Sequence, residues 1–367
     1  MSSAASDQGY CAEALRAAAG NLLCDCGGLA NGARVLILHE PEGLGYYDDA
    51  LAGRVAWAAR EMGFRVELAE VAFDREAEVL PDAVIDAMRD ADFSVFFARI
   101  GDQLRFQAFP EGTRAVVSYA LDTAAFASRF GAASYTGFIA LKDAVERTLL
   151  GADEIVMRCR NGTEVRGSGR SCAEESTDVT IKRFPMLMPC PVLAGGFSGR
   201  VALSGFLAGT GSRYYDPFGI EFAGPVAALF EQGRLIAFDG APEDVALAND
   251  HYDHVASRFA IDRDFVHSWH AGIHPACAFP GHASDCYMRW SGSAFGNPRL
   301  LHFHTCGAYA PGEICWNVVD PTIIADGVAI WEHGRLYPER VPGGQAILER
   351  HGDIAQIFAN PTRQIGL

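Results

Sequence analysis

Between Arg34 and about residue 150 the chain alternates short apolar runs with amphipathic helical stretches, and nothing else in it restricts folding as strongly. Arg34-Val-Leu-Ile-Leu-His39 reads as a buried strand. A helix is expected from about Asp48 to Met62, with Leu51, Val55, Ala58 and Met62 on one face and Gly63 ending it. Strands are expected again at Arg65–Val71, Phe93–Ala98 and Arg114–Tyr119, with a helix at Pro81–Arg89. Strands alternating with helices make a doubly wound parallel sheet. Residues 1–150 are therefore expected to form an α/β open-sheet domain. The loop Glu40–Gly45 lacks the G-x-G-x-x-G spacing, so it reads as a plain strand-to-helix turn rather than a dinucleotide site.

From about 151 the pattern changes to short extended pieces separated by glycines. Asn161-Gly162 after Glu154–Cys159 signals a hairpin. Val179–Lys182, Gly199–Leu203 and Gly233–Phe238 read as further strands. Residues 151–367 are expected to form a β-rich α+β domain carrying a metal and the catalytic groups. Gly209-Thr-Gly-Ser-Arg-Tyr-Tyr215 lacks the ending of a phosphate loop, although Arg213 is placed to neutralise an anion.

Histidine is distributed unevenly. Eight of the eleven fall between His251 and His304. A cluster of imidazoles points to metal binding or proton transfer. Three segments hold the chemistry: His267-Ser-Trp-His-Ala-Gly-Ile-His-Pro275, Leu301-His-Phe-His-Thr-Cys-Gly307 and Pro311-Gly-Glu-Ile-Cys-Trp-Asn-Val-Val-Asp-Pro321. In a strand, His302-x-His304 puts both rings on one face, within reach of one cation. The expected ligands are His302, His304 and Glu313, then His267 and His270, with Glu313 doubling as a general base and His274 as a candidate acid/base. Trp269, Trp290 and Trp316 are candidate walls for a flat ring, and Arg289 and Arg299 candidate partners for a substrate carboxylate. Histidines with one carboxylate suit Fe(II) and dioxygen chemistry; with an activated water they suit Zn(II) or Mn(II) hydrolysis.

Charge and cysteine usage narrow the partners. With 30 basic and 46 acidic residues the net charge is −16, which repels nucleic acid and anionic membranes. No run of about 18 apolar residues occurs, and the first residues lack a basic stretch before an apolar one. A cytoplasmic location is expected, with the ten cysteines reduced. The partner expected is a small molecule.

The order of segments resembles the 2,5-dihydroxypyridine 5,6-dioxygenase group and the related metallo-aminopeptidases of the aminopeptidase T and S type. Thr113–Tyr119 resembles the strand closing their N-terminal domain, Leu149–Thr163 the crossing into the C-terminal domain, Trp269–Pro275 a glycine-containing segment ending in Pro, and Asp326–Trp331 the final hairpin. The resemblance implies a homo-oligomeric enzyme with a divalent metal, Fe(II) favoured, that opens the ring of a small hydroxylated aromatic or N-heteroaromatic acid. The alternatives are a metallohydrolase of aminopeptidase or amidase type, or a metal-free binding protein. The sequence departs from the family at the metal. The dioxygenase His-x-Asp pair falls on Glu313 and Cys315, or with a gap its aspartate on Asp320, and the other family histidine falls on Ser268. The stretch Phe184–Pro191, where the aminopeptidases carry a glutamate, has no carboxylate.

Overall fold

The run Val35-Leu-Ile-Leu38 is buried along its whole length, because its two sets of alternating side chains enter two different cores. Val35 and Ile37 join the large core that spans the chain; Leu36 and Leu38 join a smaller one with Val84, Met88, Phe96 and Val117. A strand covered on both faces is the expected context of a parallel sheet. In the computed structural model, which describes residues 11–170, 179–308, 310 and 312–367, this strand, Arg34–His39, sits inside a five-stranded parallel sheet. The order is Arg65–Glu70, Arg34–His39, Phe93–Phe97, Ala115–Ser118, Lys182–Phe184. The helix Leu51–Glu61 packs its apolar stripe into the large core and stops at Gly63. That glycine has φ +85°, and a Cβ there would collide with the Asn31 side chain, so both backbone and space require it.

The remaining strands are antiparallel. One sheet has eight strands, and the other has six, with Val266–Ala271, Leu300–Thr305 and Ile314–Val319 adjacent within it. The Asn161-Gly162 hairpin forms as expected, joining Ile155–Arg158 to Glu164–Gly167. The two antiparallel sheets meet through aromatic rings: Phe230 lies against Phe303 and Trp316, and Phe197 against Trp269.

Two features cross the boundary expected near 150. The large core runs without interruption from Leu15 to Ile365. The stretch expected as the strand Val179–Lys182 is instead a strand at Lys182–Phe184, and it adds in parallel to Ala115–Ser118. The exposed backbone groups of that edge would otherwise lack partners, and the added strand buries Ile181 and Phe184 as it satisfies them.

The parallel sheet starts at Arg34–His39, adds Arg65–Glu70 on one side and then Phe93–Phe97 on the other. The crevice at this reversal, beyond the carboxyl ends of the strands, is where open α/β sheets bind ligands. Glu40 and Arg99 occupy it. Arg99 Nε and Nη2 donate to Glu40 at 2.7–3.1 Å, with the Arg99 guanidinium 3.5 Å from the Phe73 ring centroid. Both ions are buried. Glu40→Gln leaves the Arg99 charge uncompensated, so equilibrium denaturation should show a loss of about 3–5 kcal/mol; an unchanged stability would mean that the pair is not buried as described.

Candidate metal centre

Antiparallel pairing decides which histidines meet. His270 lies opposite His302, and Ser268 opposite His304, while on the far side of the central strand Asn317 lies opposite His302 and Cys315 opposite His304. These six residues therefore share one face of the sheet. Trp269, Phe303 and Trp316 occupy the neighbouring rung and point to the other face, into the sheet-to-sheet core.

The Nε2 atoms of His270, His302 and His304 converge. His270 Nε2 lies 2.8 Å from His302 Nε2 and 3.1 Å from His304 Nε2. All three rings are buried. His270 Nδ1 donates to the Pro189 carbonyl at 2.9 Å, which leaves its Nε2 lone pair facing the other two rings. His302 is stacked on Phe295 with centroids 4.0 Å apart. Burial, the neighbouring imidazoles and the Arg105 guanidinium hold His302 and His304 well below the usual histidine range, so both are neutral at pH 7.

Neutral imidazoles whose Nε2 atoms converge can present their lone pairs to a divalent ion, and one ring already carries the backbone hydrogen bond that ligating histidines make. Tetrahedral ligation at 2.0–2.1 Å sets nitrogens about 3.3 Å apart, a few tenths of an ångström wider than the present spacing. Among the described residues this is the one group of three or more potential ligands close enough to hold an ion. The donor set fits a divalent transition metal.

A cavity of about 60 Å³ opens over the triad. Its floor is His270, His302 and His304; Tyr46, Phe106, Phe295 and Met188 give it apolar walls. Its charged groups come from the carboxyl ends of the parallel strands and their loops. Asp102 and Arg105 follow Phe93–Phe97, Tyr119 follows Ala115–Ser118, and Arg183 lies on Lys182–Phe184. Arg105 Nη1 lies 3.2 Å from Asp102 Oδ2, and the Tyr119 hydroxyl donates to Asp102 Oδ1 at 2.6 Å. Thr210 and Gly211 close the other side, and Arg105 Nη2 donates to the Thr210 carbonyl at 3.4 Å.

Several expected site residues lie elsewhere. Glu313 is not among the clustered ligands. Its carboxyl accepts from Ser212 Oγ at 2.8 Å, and burial raises its pKa to about 8. His267 also stays outside the triad: a bulge between Val266 and Ser268 breaks the alternation, and its Nδ1 pairs with Ser268 Oγ at 2.8 Å. His274 is stacked on Phe138 at 3.9 Å and meets Phe130 edge-on, with Nδ1 accepting from the Ala276 amide. It lies in an aromatic cage and does not line the cavity, which leaves no route for the acid/base role.

Trp269, Trp290 and Trp316 are core residues; the Trp290 and Trp316 indoles donate to the Ile365 carbonyl and the Tyr252 hydroxyl. Arg299 is held by Asp320 at 2.6 and 2.7 Å, and Asp320 is not among the clustered ligands. Arg289 pairs with Asp122 at 3.3 Å beside a separate cavity of about 540 Å³. Arg213 sits over the Phe259 ring. The nine described cysteines are free thiols, and Cys172 lies outside the described residues.

The sequence reading did not name Arg105, Arg183, Asp102 or Tyr119. Asp102 and Arg105 carried a faint signal as an opposite-charge pair three residues apart. Arg183 carried none, because only its strand's return to the parallel sheet brings it to the cavity.

Among known proteins, no family model and no curated protein matches the chain. Solved structures do match it in fold. The 2,5-dihydroxypyridine dioxygenase of Pseudomonas putida superposes with a TM-score of 0.55 at 14% identity, over 89% of this chain and 97% of that one. AmpT of Thermus thermophilus gives a TM-score of 0.49 at 11% identity, over 88% and 99%. The chain thus shares its fold with that dioxygenase, as the resemblance of its segments implied. No helix among the described residues is long and apolar enough to cross a membrane.

Buried neutral histidines make stability depend on pH. Burial lowers the pKa of His274 to about 3 and those of His251 and His267 to about 4, from 6.5. Their folded-state values lie below the unfolded one, so the unfolded chain binds more protons between them. The stability is fully present above pH 6.5 and is lost as pH falls toward 4. Denaturation of metal-free protein should show this decline, with a shallower slope in His274→Gln; an equal slope in that variant would contradict it.

Proposed function

We propose that this chain is a mononuclear metal-dependent enzyme of the ring-opening dioxygenase type, acting on a small hydroxylated aromatic or N-heteroaromatic acid. The observation that carries the reading is the convergence of three buried Nε2 atoms at the floor of a cavity. When bound there, Fe(II) supplies the redox chemistry that dioxygen requires. His270, His302 and His304 would hold the ion as neutral ligands. Arg105 and Arg183 supply positive potential for a substrate carboxylate. Phe106, Phe295 and Tyr46 offer flat apolar surface to a ring and keep water from it. The dioxygenase that shares the fold supports the same class of chemistry.

The hydrolase reading takes Glu313 as the group that moves the proton of a metal-bound water. Asp102 is engaged by Arg105 and Tyr119, and the Glu313 carboxyl is bound by Ser212 and is not among the clustered ligands. The dioxygenase reading is therefore preferred, with a cytoplasmic, homo-oligomeric enzyme as its setting.

Elemental analysis should find about one equivalent of divalent transition metal per chain in the wild type. His270→Ala, His302→Ala and His304→Ala should each lose it, whereas His267→Ala and Glu313→Gln should keep it. Metal-loaded protein should consume oxygen with dihydroxypyridine carboxylic acids. Release of amine from aminoacyl anilides without oxygen uptake would establish the hydrolase instead, and a wild type that binds no metal would leave only the binding-protein reading. Arg183→Met should raise KM for the carboxylated substrate far more than for its decarboxylated analogue; equal effects on both would remove the arginine from carboxylate recognition.

A further inference from the structure

Asn317 is fully buried, and among the described residues neither its Oδ1 nor its Nδ2 has a hydrogen-bond partner. Leaving an amide in that state costs about 1–3 kcal/mol, so such a group needs a reason to be polar. Its position supplies one. Asn317 lies directly opposite His302 on the face that carries the triad, and opposed side chains in an antiparallel pair have Cβ atoms about 4.5–5.5 Å apart. His302 Nδ1 is likewise buried and without a partner. The two orphaned groups stand on one rung of the sheet.

The chemistry of the triad shows what passes between them. His270 Nδ1–H is committed to the Pro189 carbonyl, so His270 Nε2 can only accept. His302 Nε2 lies 2.8 Å and His304 Nε2 3.1 Å from that acceptor; when His302 Nε2–H is the donor, His302 Nδ1 is a bare acceptor. A metal on His302 Nε2 requires that lone pair, so the proton of the neutral ring must move to Nδ1, which becomes a donor. A metal-bound His302 presents Nδ1–H, and a group opposite it has to accept. The Asn317 carboxamide can do so through Oδ1. A carboxylate can as well, and a leucine cannot.

We propose that Asn317 is a positioning residue for the metal site, its Oδ1 accepting from His302 Nδ1–H and so fixing the ligating tautomer. The proposal rests on the reading of His270, His302 and His304 as metal ligands.

The test is Zn(II) affinity of the metal-free protein, measured by competition with a chromophoric chelator, together with the thermal stability of the metal-free form. Asn317→Leu should weaken Zn(II) binding about 10–100-fold, the range for losing a hydrogen bond to a ligating histidine. It should leave the metal-free melting temperature unchanged or higher, because an unpaired amide is removed. Asn317→Asp should bind Zn(II) as tightly as the wild type or more tightly, since its carboxylate favours Nδ1–H. A residue that merely packed would lower stability in both variants and leave affinity alone. Wild-type affinity in Asn317→Leu overturns the proposal. If Asn317→Leu does not fold, weakened binding in a folded Asn317→Asp overturns it. If the wild type binds no Zn(II), the ligand reading fails and this proposal with it; if only the Asn317 variants behave like the wild type, the ligand reading stands alone.

Discussion

Everything at the site depends on the register between the strands Val266–Ala271 and Leu300–Thr305. With His270 opposite His302, three imidazoles fall on the face that meets the parallel sheet, and three large aromatics fall on the face that meets the other antiparallel sheet. A slip of one residue would exchange the two sets. The aromatic side enforces the pairing: Trp269, Phe303 and Trp316 fill the sheet-to-sheet core with Phe197 and Phe230, and no histidine would be tolerated there without hydrogen bonds. The polar cluster is held in place by the hydrophobic effect acting on the other side of the same strands.

The parallel sheet supplies the second half of the cavity. Its topological reversal leaves a crevice that the Glu40–Arg99 pair fills, and the loops beside it carry Asp102, Arg105 and Tyr119 over the histidines. The strand Lys182–Phe184 ties the two halves together, because the chain that leaves it passes through Pro189, whose carbonyl orients His270, and Met188, which lines the cavity. One segment therefore closes the parallel sheet and sets the tautomer of His270. Arg105 and Arg183 line the cavity beside Asp102, so in a protein of net charge −16 arginine is concentrated at the histidine cluster.

Periodicity and turn chemistry alone were enough for the parallel sheet, the stop at Gly63 and the hairpin at Asn161-Gly162, because each depends on neighbours in the chain. The His302-x-His304 spacing was enough to put two rings together, since alternation along a strand is a local property. The third histidine of the cluster was not legible in this way. His267, His270 and Glu313 were equivalent candidates by type and distance along the chain, and only the cross-strand register and the bulge at Val266 separate His270 from the others. Glu313 was excluded by burial among Ser212 and Thr210, partners about a hundred residues away. The tryptophans and His274 went to the core for the same reason: whether a ring walls a site or fills an interior depends on which face of its strand or loop is covered. Arg105, Arg183 and Asn317 became visible only when distant strands were paired, because charge and hydrogen-bonding capacity acquire a role from what stands opposite them, and pairing across a sheet is set by the packing of the whole chain.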